Sequence, residues 1–284
     1  MNLKFHITLI IILHLIPKSI VSQKTYLSET DTKLFNDYAA YIAPYETEPM
    51  ETVLEYTARF FLGIPYAGST LDQKEDETLV INLSEMDCVT YVENVLALSL
   101  AVREHNLSQT SLVNNVKKIR YRNNEIVDFS SRIHYTSDWI VENEENKLIK
   151  NISKELSGVK ETKKINFMST HRSSYNQIAN NDSLYLKIVK MEEEVNARGG
   201  FYYLPKKLIT AKSDEIPHMS VVAFITAIPG LDTSHVGFAF HKNGKLTFIH
   251  ASSLKQKVVI NDKTLSEYCL SQKNCKGIIV VKVN

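Results

Sequence analysis

Apolar positions recur at intervals of three and four over residues 28–42, through Leu34, Phe35, Tyr38, Tyr41 and Ile42, and predict a helix. A second helix is expected with Thr47 as N-cap and Pro49 in its first turn. It runs through Met50, Val53, Leu54, Phe60 and Phe61 and stops at Gly63. Residues 63–70 read as a loop, and the acidic stretch from Asp72 to Glu77 as a solvated connection. The strongest helical pattern covers 87–104, with Val92, Val95, Leu96, Ser99 and Val102 on one stripe. Leu98 and Leu100 widen that stripe, so this helix is expected to be central. The middle of the chain predicts a hairpin around Asn123-Asn124, a short helix near Trp139, a surface hairpin over 143–151 and a helix over 183–198. After Gly199-Gly200 the pattern turns to strands: 220–226, 235–241, 245–252, 257–260 and 277–283. Helices first and an antiparallel sheet later define an α+β chain.

Composition narrows what such a chain can do. Of 284 residues, 44% are hydrophobic and 23% charged, and 33 basic side chains face 32 acidic ones. That combination excludes a disordered chain and a nucleic-acid binder relying on a basic face. Nine glycines and seven prolines are too few for a fibrous protein. At the N-terminus, Lys4 precedes an apolar run from Ile7 to Ile16 that Pro17 breaks, and Ser22 offers a small residue for cleavage. We read residues 1–22 as a signal peptide, too short to span a bilayer, which needs about 20 apolar residues. Its removal leaves 31 basic against 32 acidic side chains. The mature chain, 23–284, is expected to be one domain with an N-terminal helical extension and a mid-chain insertion at 143–198. It is expected in the periplasm or outside the cell, with no membrane span.

Cys88 falls in the first turn of the central helix, after Asp87. Unpaired amides at a helix N-terminus carry partial positive charge and favour thiolate, which makes a nucleophile; a small buried hydrophobe is the alternative. The histidines bear on that choice. Lys242-Asn243-Gly244-Lys245 reads as a two-residue hairpin. If Lys242 pairs with Lys245, Gly237 falls opposite His250 and Ser252 opposite His235. His235 and His250 are then diagonal neighbours on one face, roughly 7 Å apart at Cβ. That is a base with its orienter. A zinc site is the competing explanation. His241 shares their face, but six residues along a strand is roughly 20 Å, and no HExxH or CxxC pattern occurs. His105, His134, His171 and His218 read as surface residues. Cys269 and Cys275 enclose five residues and can close a small loop in an oxidising compartment, which would leave Cys88 free.

These residues also carry a resemblance. Gly63-Ile-Pro-Tyr66-Ala-Gly, Asp87-Cys88-Val-Thr90-Tyr-Val-Glu93, Gly230-Leu-Asp-Thr-Ser234-His235-Val-Gly237 and Phe248-Ile-His250-Ala-Ser resemble the NlpC/P60 papain-like superfamily. Within it the chain looks like the N-acetylmuramoyl-L-alanine amidase-like group, DUF1460, of which Arg132-Ile-His-Tyr135-Thr-Ser-Asp-Trp139 resembles a further motif. The likeness runs from about Val53 to the C-terminus. One departure is His218-Met-Ser220, where the superfamily usually has Gly-Asp. The resemblance implies a papain-like fold and a cell-wall hydrolase acting on muropeptides, cutting the amide between a muramoyl lactyl carbonyl and L-alanine. It places the nucleophile on Cys88, the base on His235 and the orienter on His250, with Tyr66 beside the nucleophile. Tyr66, Asp87, Arg132, Tyr135, Trp139 and Ser234 are the candidate substrate or oxyanion contacts. For Arg132 a structural salt bridge is the alternative, and for Trp139 a core anchor. No cofactor or metal is expected. Cleavage inside the stem peptide and a non-catalytic muropeptide-binding module are the competing functions.

Overall fold

Five helices form where the apolar positions follow a helical period: α1 (Glu29–Ile42), α2 (Met50–Phe60), α3 (Cys88–Arg103), α4 (Gln109–Arg120) and α5 (Thr136–Glu145). The middle of the chain contributes β1 (Ile149–Asn151), β2 (Val159–Glu161), α6 (Phe167–Thr170), α7 (Asn176–Ala179), α8 (Asp182–Ala197) and β3 (Phe201–Pro205). Then come β4 (Val221–Thr226), β5 (Thr233–Lys242), β6 (Lys245–Ser252), β7 (Lys257–Ile260), α9 (Leu265–Ser271) and β8 (Cys275–Val283). These elements belong to a computed structural model that describes residues 26–73 and 76–284, so the expected signal peptide lies outside the described residues.

The strands form one antiparallel sheet ordered β2-β3-β8-β4-β5-β6-β7, with β1 also paired to β8. Side chains alternate across it and feed two cores. Val221, Ala223, Ile225, Val236, Phe238, Ile249 and Ala251 pack with the helical half of the chain. Val222, Phe224, Ala239, Phe248 and Ile278 pack on the opposite face with Leu265 and Cys269 of α9. A third cluster gathers Phe129, Tyr135, Met168, Ile178, Ile188 and Met191 around α6–α8. The central helix α3 is buried nearly all round, as a helix without a polar face must be. Its Glu93 pairs with Arg120 of α4 at 2.7 Å, both side chains 2% exposed, and Arg120 also donates to the Val80 carbonyl. Among the described residues, no helix is long and apolar enough to cross a membrane.

Several expectations are corrected. Helix α2 starts after Pro49, not Thr47, and ends at Phe60, three residues before Gly63 turns at φ +90°. Around Asn123 and Asn124, both left-handed, there is a 3-10 turn and not a hairpin, because α4 runs on to Arg120. Residues 143–151 are no surface hairpin either: α5 continues to Glu145, Lys147 turns at φ +60°, and β1 joins the main sheet. The acidic stretch is partly buried, since Asp72 and Glu77 pair with Arg132 and Glu77 accepts the Tyr121 hydroxyl at 2.6 Å.

Candidate active site

Asp87 is the N-cap of α3. Its carboxylate accepts the amides of Val89 and Thr90 while the Thr90 hydroxyl accepts the Asp87 amide, a reciprocal cap that fixes where the helix begins. Cys88 therefore sits on the first helical residue, and its sulfur draws on the backbone amides of Val236, Cys88 and Val89. The Val236 contact docks the helix end against β5, next to His235. The thiol is not acidic, contrary to the expectation from helix position. Burial, and then the Asp87 carboxylate, push it up to about 12, and the three amides only offset this.

The histidine hairpin has the register its turn dictates: Lys242 pairs with Lys245, Ala239 with Phe248 and Phe238 with Ile249. Nε2 of His235 lies 2.6 Å from Nδ1 of His250, with the rings nearly perpendicular. Gly237 makes this approach feasible. A Cβ there would stand 2.6 Å from the Ile249 carbonyl oxygen and 3.0 Å from Cβ of His250. Burial pushes His235 down to about 3 and His250 to about 4, so both imidazoles are neutral at neutral pH. The site at rest holds a thiol beside two neutral imidazoles, because burial penalises either charge.

Two tyrosines frame the sulfur. The loop carrying Tyr66 is held on both sides: the Tyr66 amide donates to Gln256 and the Ala67 amide to Met86, while Met86 donates to Pro65. The Tyr66 phenol is raised by burial first, and then by the nearby Cys88 and the Asp87 carboxylate. Tyr268 of α9 is raised by burial and then by Cys88, and its ring lies 6.2 Å from His235 and 5.9 Å from His250. The residue after it, Cys269, forms a disulfide with Cys275 at the start of β8, leaving Cys88 as the free thiol.

The other predicted residues are placed differently. Ser234 is exposed at the start of β5. Arg132 is buried and committed to Asp72, Glu77 and the Leu71 carbonyl, which is the salt-bridge alternative. Tyr135 is 2% exposed; its hydroxyl donates to Glu192 at 2.7 Å and accepts the Met168 amide, tying α5 to α6 and α8. Trp139 is 6% exposed and lines a partly open pocket of about 40 Å³ with Val89, Val92, His134 and Val236. Two histidines expected at the surface are structural. His134 meets the Phe129 carbonyl at 2.7 Å, and burial pushes it down to about 3. His218 bridges Glu55 and the His241 amide. His241 itself turns away from the pair to the Ile216 carbonyl.

Three residues were given no role from the sequence. Tyr268 lacks any motif. Asp232 is buried and accepts the amides of Ser137 and Thr233, capping α5 from a distance and fixing the start of β5. Asn261 follows β7 and donates its amide to the Phe248 carbonyl at 2.9 Å. Among the described residues, no group of three or more His, Cys, Asp or Glu side chains is arranged to hold a metal ion.

A helical half packed on an antiparallel sheet, with a cysteine-bearing helix end set against a histidine hairpin, falls within a class found among hydrolases of amide bonds, and comparison with known proteins makes the assignment specific. The AmiA-like family, described as N-acetylmuramoyl-L-alanine amidase-like, matches residues 56–278. The chain belongs to this family, and its role is that of a peptidoglycan amidase-like hydrolase acting on amide bonds. It is similar to crystal structures of an N-acetylmuramoyl-L-alanine amidase from Bacteroides uniformis. One is 34% identical, with a TM-score of 0.76, over 82% of this chain and 98% of that one. Another is 32% identical, with a TM-score of 0.75, over 83% and 99%. A Legionella pneumophila protein of DUF1460 shares the fold at 23% identity and a TM-score of 0.67, over 89% of this chain and 94% of that one. No curated protein matches the chain.

Proposed function

We propose that this protein is a secreted cysteine amidase that hydrolyses the bond between N-acetylmuramoyl, or anhydro-muramoyl, and L-alanine in peptidoglycan fragments. The fold is read as papain-like, of the NlpC/P60 type, with one catalytic domain over residues 23–284. The observation that carries the reading is Cys88 on the first residue of α3, docked by the Val236 amide beside a 2.6 Å His235–His250 pair. Membership of an N-acetylmuramoyl-L-alanine amidase-like family supports the choice of bond.

Because thiol and imidazole are both neutral at rest, proton transfer accompanies attack. Sγ of Cys88 bonds to the lactyl carbonyl carbon as its proton passes to His235. The Cys88 amide at the helix end faces the developing oxyanion, and the Tyr66 hydroxyl is placed to assist. His235 returns the proton to the nitrogen of L-alanine as the C–N bond breaks, leaving a thioester on Cys88. Water, deprotonated by His235, then releases the muramic acid carboxylate and restores the thiol. His250 holds His235 in orientation throughout.

Selectivity is assigned to the mid-chain region. There Asn176, Asn180 and Asn181, with Asp128 and Phe129, line an open groove of about 610 Å³ whose carboxamides suit sugar or peptide polar groups. Signal removal and a periplasmic or extracellular site are part of the proposal, and the Cys269–Cys275 disulfide supports an oxidising compartment. The test is incubation of the mature protein with a disaccharide–tetrapeptide followed by product mass analysis. Free tetrapeptide and intact disaccharide are expected. Cleavage after γ-D-glutamate would make it an endopeptidase, and binding without turnover would make it a recognition module.

A further inference from the structure

The two histidines leave one polar atom unaccounted for. Nδ1 of His250 faces His235, while Nε2 of His250 is buried and finds no hydrogen-bond partner among the described residues. The strand register points to what lies beyond it. Between β6 and β7, His250 pairs with Val259 and Ile249 with Ile260, and the Asn261 amide continues the ladder by donating to Phe248 at 2.9 Å. Asn261 is therefore the diagonal neighbour of His250 on the same face, as His250 is of His235. Three polar side chains step diagonally across β5, β6 and the end of β7: His235, His250, Asn261.

Asn261 is also oriented. Its backbone carbonyl accepts the Thr247 hydroxyl at 2.8 Å, and its side-chain Nδ2 donates to the Lys263 carbonyl at 2.9 Å. With Nδ2 engaged there, Oδ1 is the arm left to turn towards the histidine. Asn261 is the neighbouring side chain that favours protonation of His250.

The proton order follows from chemistry. With Nε2 of His235 committed to His250, Nδ1 is the nitrogen left to take a proton from Cys88. A neutral His235 with a bare Nδ1 carries its proton on Nε2 and donates it to Nδ1 of His250. His250, accepting there, must carry its own proton on Nε2, a buried donor that needs an acceptor. We propose that Asn261 is a positioning residue of this site: Oδ1 accepts the Nε2 proton of His250 and thereby fixes the tautomers of both histidines with the base facing Cys88. The inference rests on the cysteine-amidase reading for its catalytic consequence, but the tautomers can be read without substrate. The titratable groups around His250 are His235 on β5 and Tyr268 on α9, with Cys88 beyond them on α3.

The test combines Asn261→Ala and Asn261→Asp in the mature chain, each checked by thermal melting. In Asn261→Ala, kcat on a disaccharide–tetrapeptide should fall about tenfold, the worth of one hydrogen bond, with KM unchanged. In Asn261→Asp the carboxylate favours a doubly protonated His250, which reverses the donor between the rings. The acid limb of kcat/KM should then move up by at least one pH unit. Nitrogen-15 spectra of labelled histidine report tautomers directly: His250 should be protonated at Nε2 in the parent and mixed in Asn261→Ala. An unchanged His250 tautomer in Asn261→Ala, or an unmoved acid limb in Asn261→Asp, overturns the proposal. If the parent cleaves nothing, the amidase reading fails while the nitrogen spectra still decide the role of Asn261.

Discussion

Gly237→Ala probes whether the histidine pair depends on close packing of β5 on β6. The new Cβ would stand 2.6 Å from the Ile249 carbonyl oxygen, about 0.8 Å short of ordinary contact, and 3.0 Å from Cβ of His250. Both obstacles are backbone or backbone-bound, so no side-chain rotation clears them and β6 must move. A shift of that size lengthens the 2.6 Å His235–His250 contact to about 3.4 Å, beyond hydrogen-bond range. Overpacking costs about 1–3 kcal/mol, and the stiffer unfolded chain returns about 0.4–1. The net loss of about 1–2 kcal/mol lowers Tm by about 2–8 °C in a chain of this size. Activity should fall further, about 100-fold in kcat/KM, because a displacement near 1 Å in a catalytic group has that effect. Circular dichroism melting and hydrolysis of a disaccharide–tetrapeptide measure the two losses. A variant with parental kcat/KM would refute the coupling between Gly237 and the histidine pair.

Other consequences follow from the same structure. Arg120→Met leaves Glu93 buried and unpaired in α3 and should cost about 3–5 kcal/mol in urea unfolding, whereas the exposed Lys33–Asp37 pair should yield under 1 on Lys33→Ala. Replacing Cys269 and Cys275 by alanine opens a short loop worth about 2 kcal/mol and frees Tyr268 beside the histidines, so melting temperature and turnover should both drop; unchanged turnover would remove Tyr268 from the site. The histidines titrate at about 3 and 4 in the folded chain against 6.5 unfolded, so the unfolded chain binds more protons between those values. Stability should therefore decline as pH falls below about 6.5, while kcat/KM holds to about pH 4; an acid limb near 6.5 would contradict this. Alkylation of Cys88 by iodoacetamide should keep accelerating above pH 9, since the thiol is raised to about 12; a plateau between pH 5 and 8 would signal a resting thiolate–imidazolium pair instead.

What the sequence reveals about this site divides along the range of the forces involved. The start of α3 and the His235–His250 face were readable because local chemistry sets them: the Asp87–Thr90 cap and a two-residue Asn-Gly turn leave one helix start and one register. The partner on the next strand was not. The turn between β6 and β7 is longer and passes through a left-handed Gln256, so nothing local places Asn261 against His250. The acidity of Cys88 was misjudged for a related reason. Helix position is local, but the burial that outweighs it comes from β5 and the surrounding chain, brought over the sulfur only by folding. Arg132, Tyr135 and Trp139 have side chains suited to ligands. Long-range packing commits them to Asp72, to Glu192 and to the small, partly open pocket beside Val89. β1 is three residues long and stands beside β8 only through a pairing across more than a hundred residues, which no period in its own sequence announces.

The central claim is that Cys88 takes up the muramoyl acyl group. Rapid acid quenching of the protein during turnover of a disaccharide–tetrapeptide, followed by peptide mass mapping, tests it directly. The expected result is an adduct on the Cys88 peptide whose mass equals the disaccharide with its lactyl acyl group, absent from Cys88→Ala, which should also be inactive. An adduct bearing part of the stem peptide, or undiminished turnover in Cys88→Ala, would contradict the account.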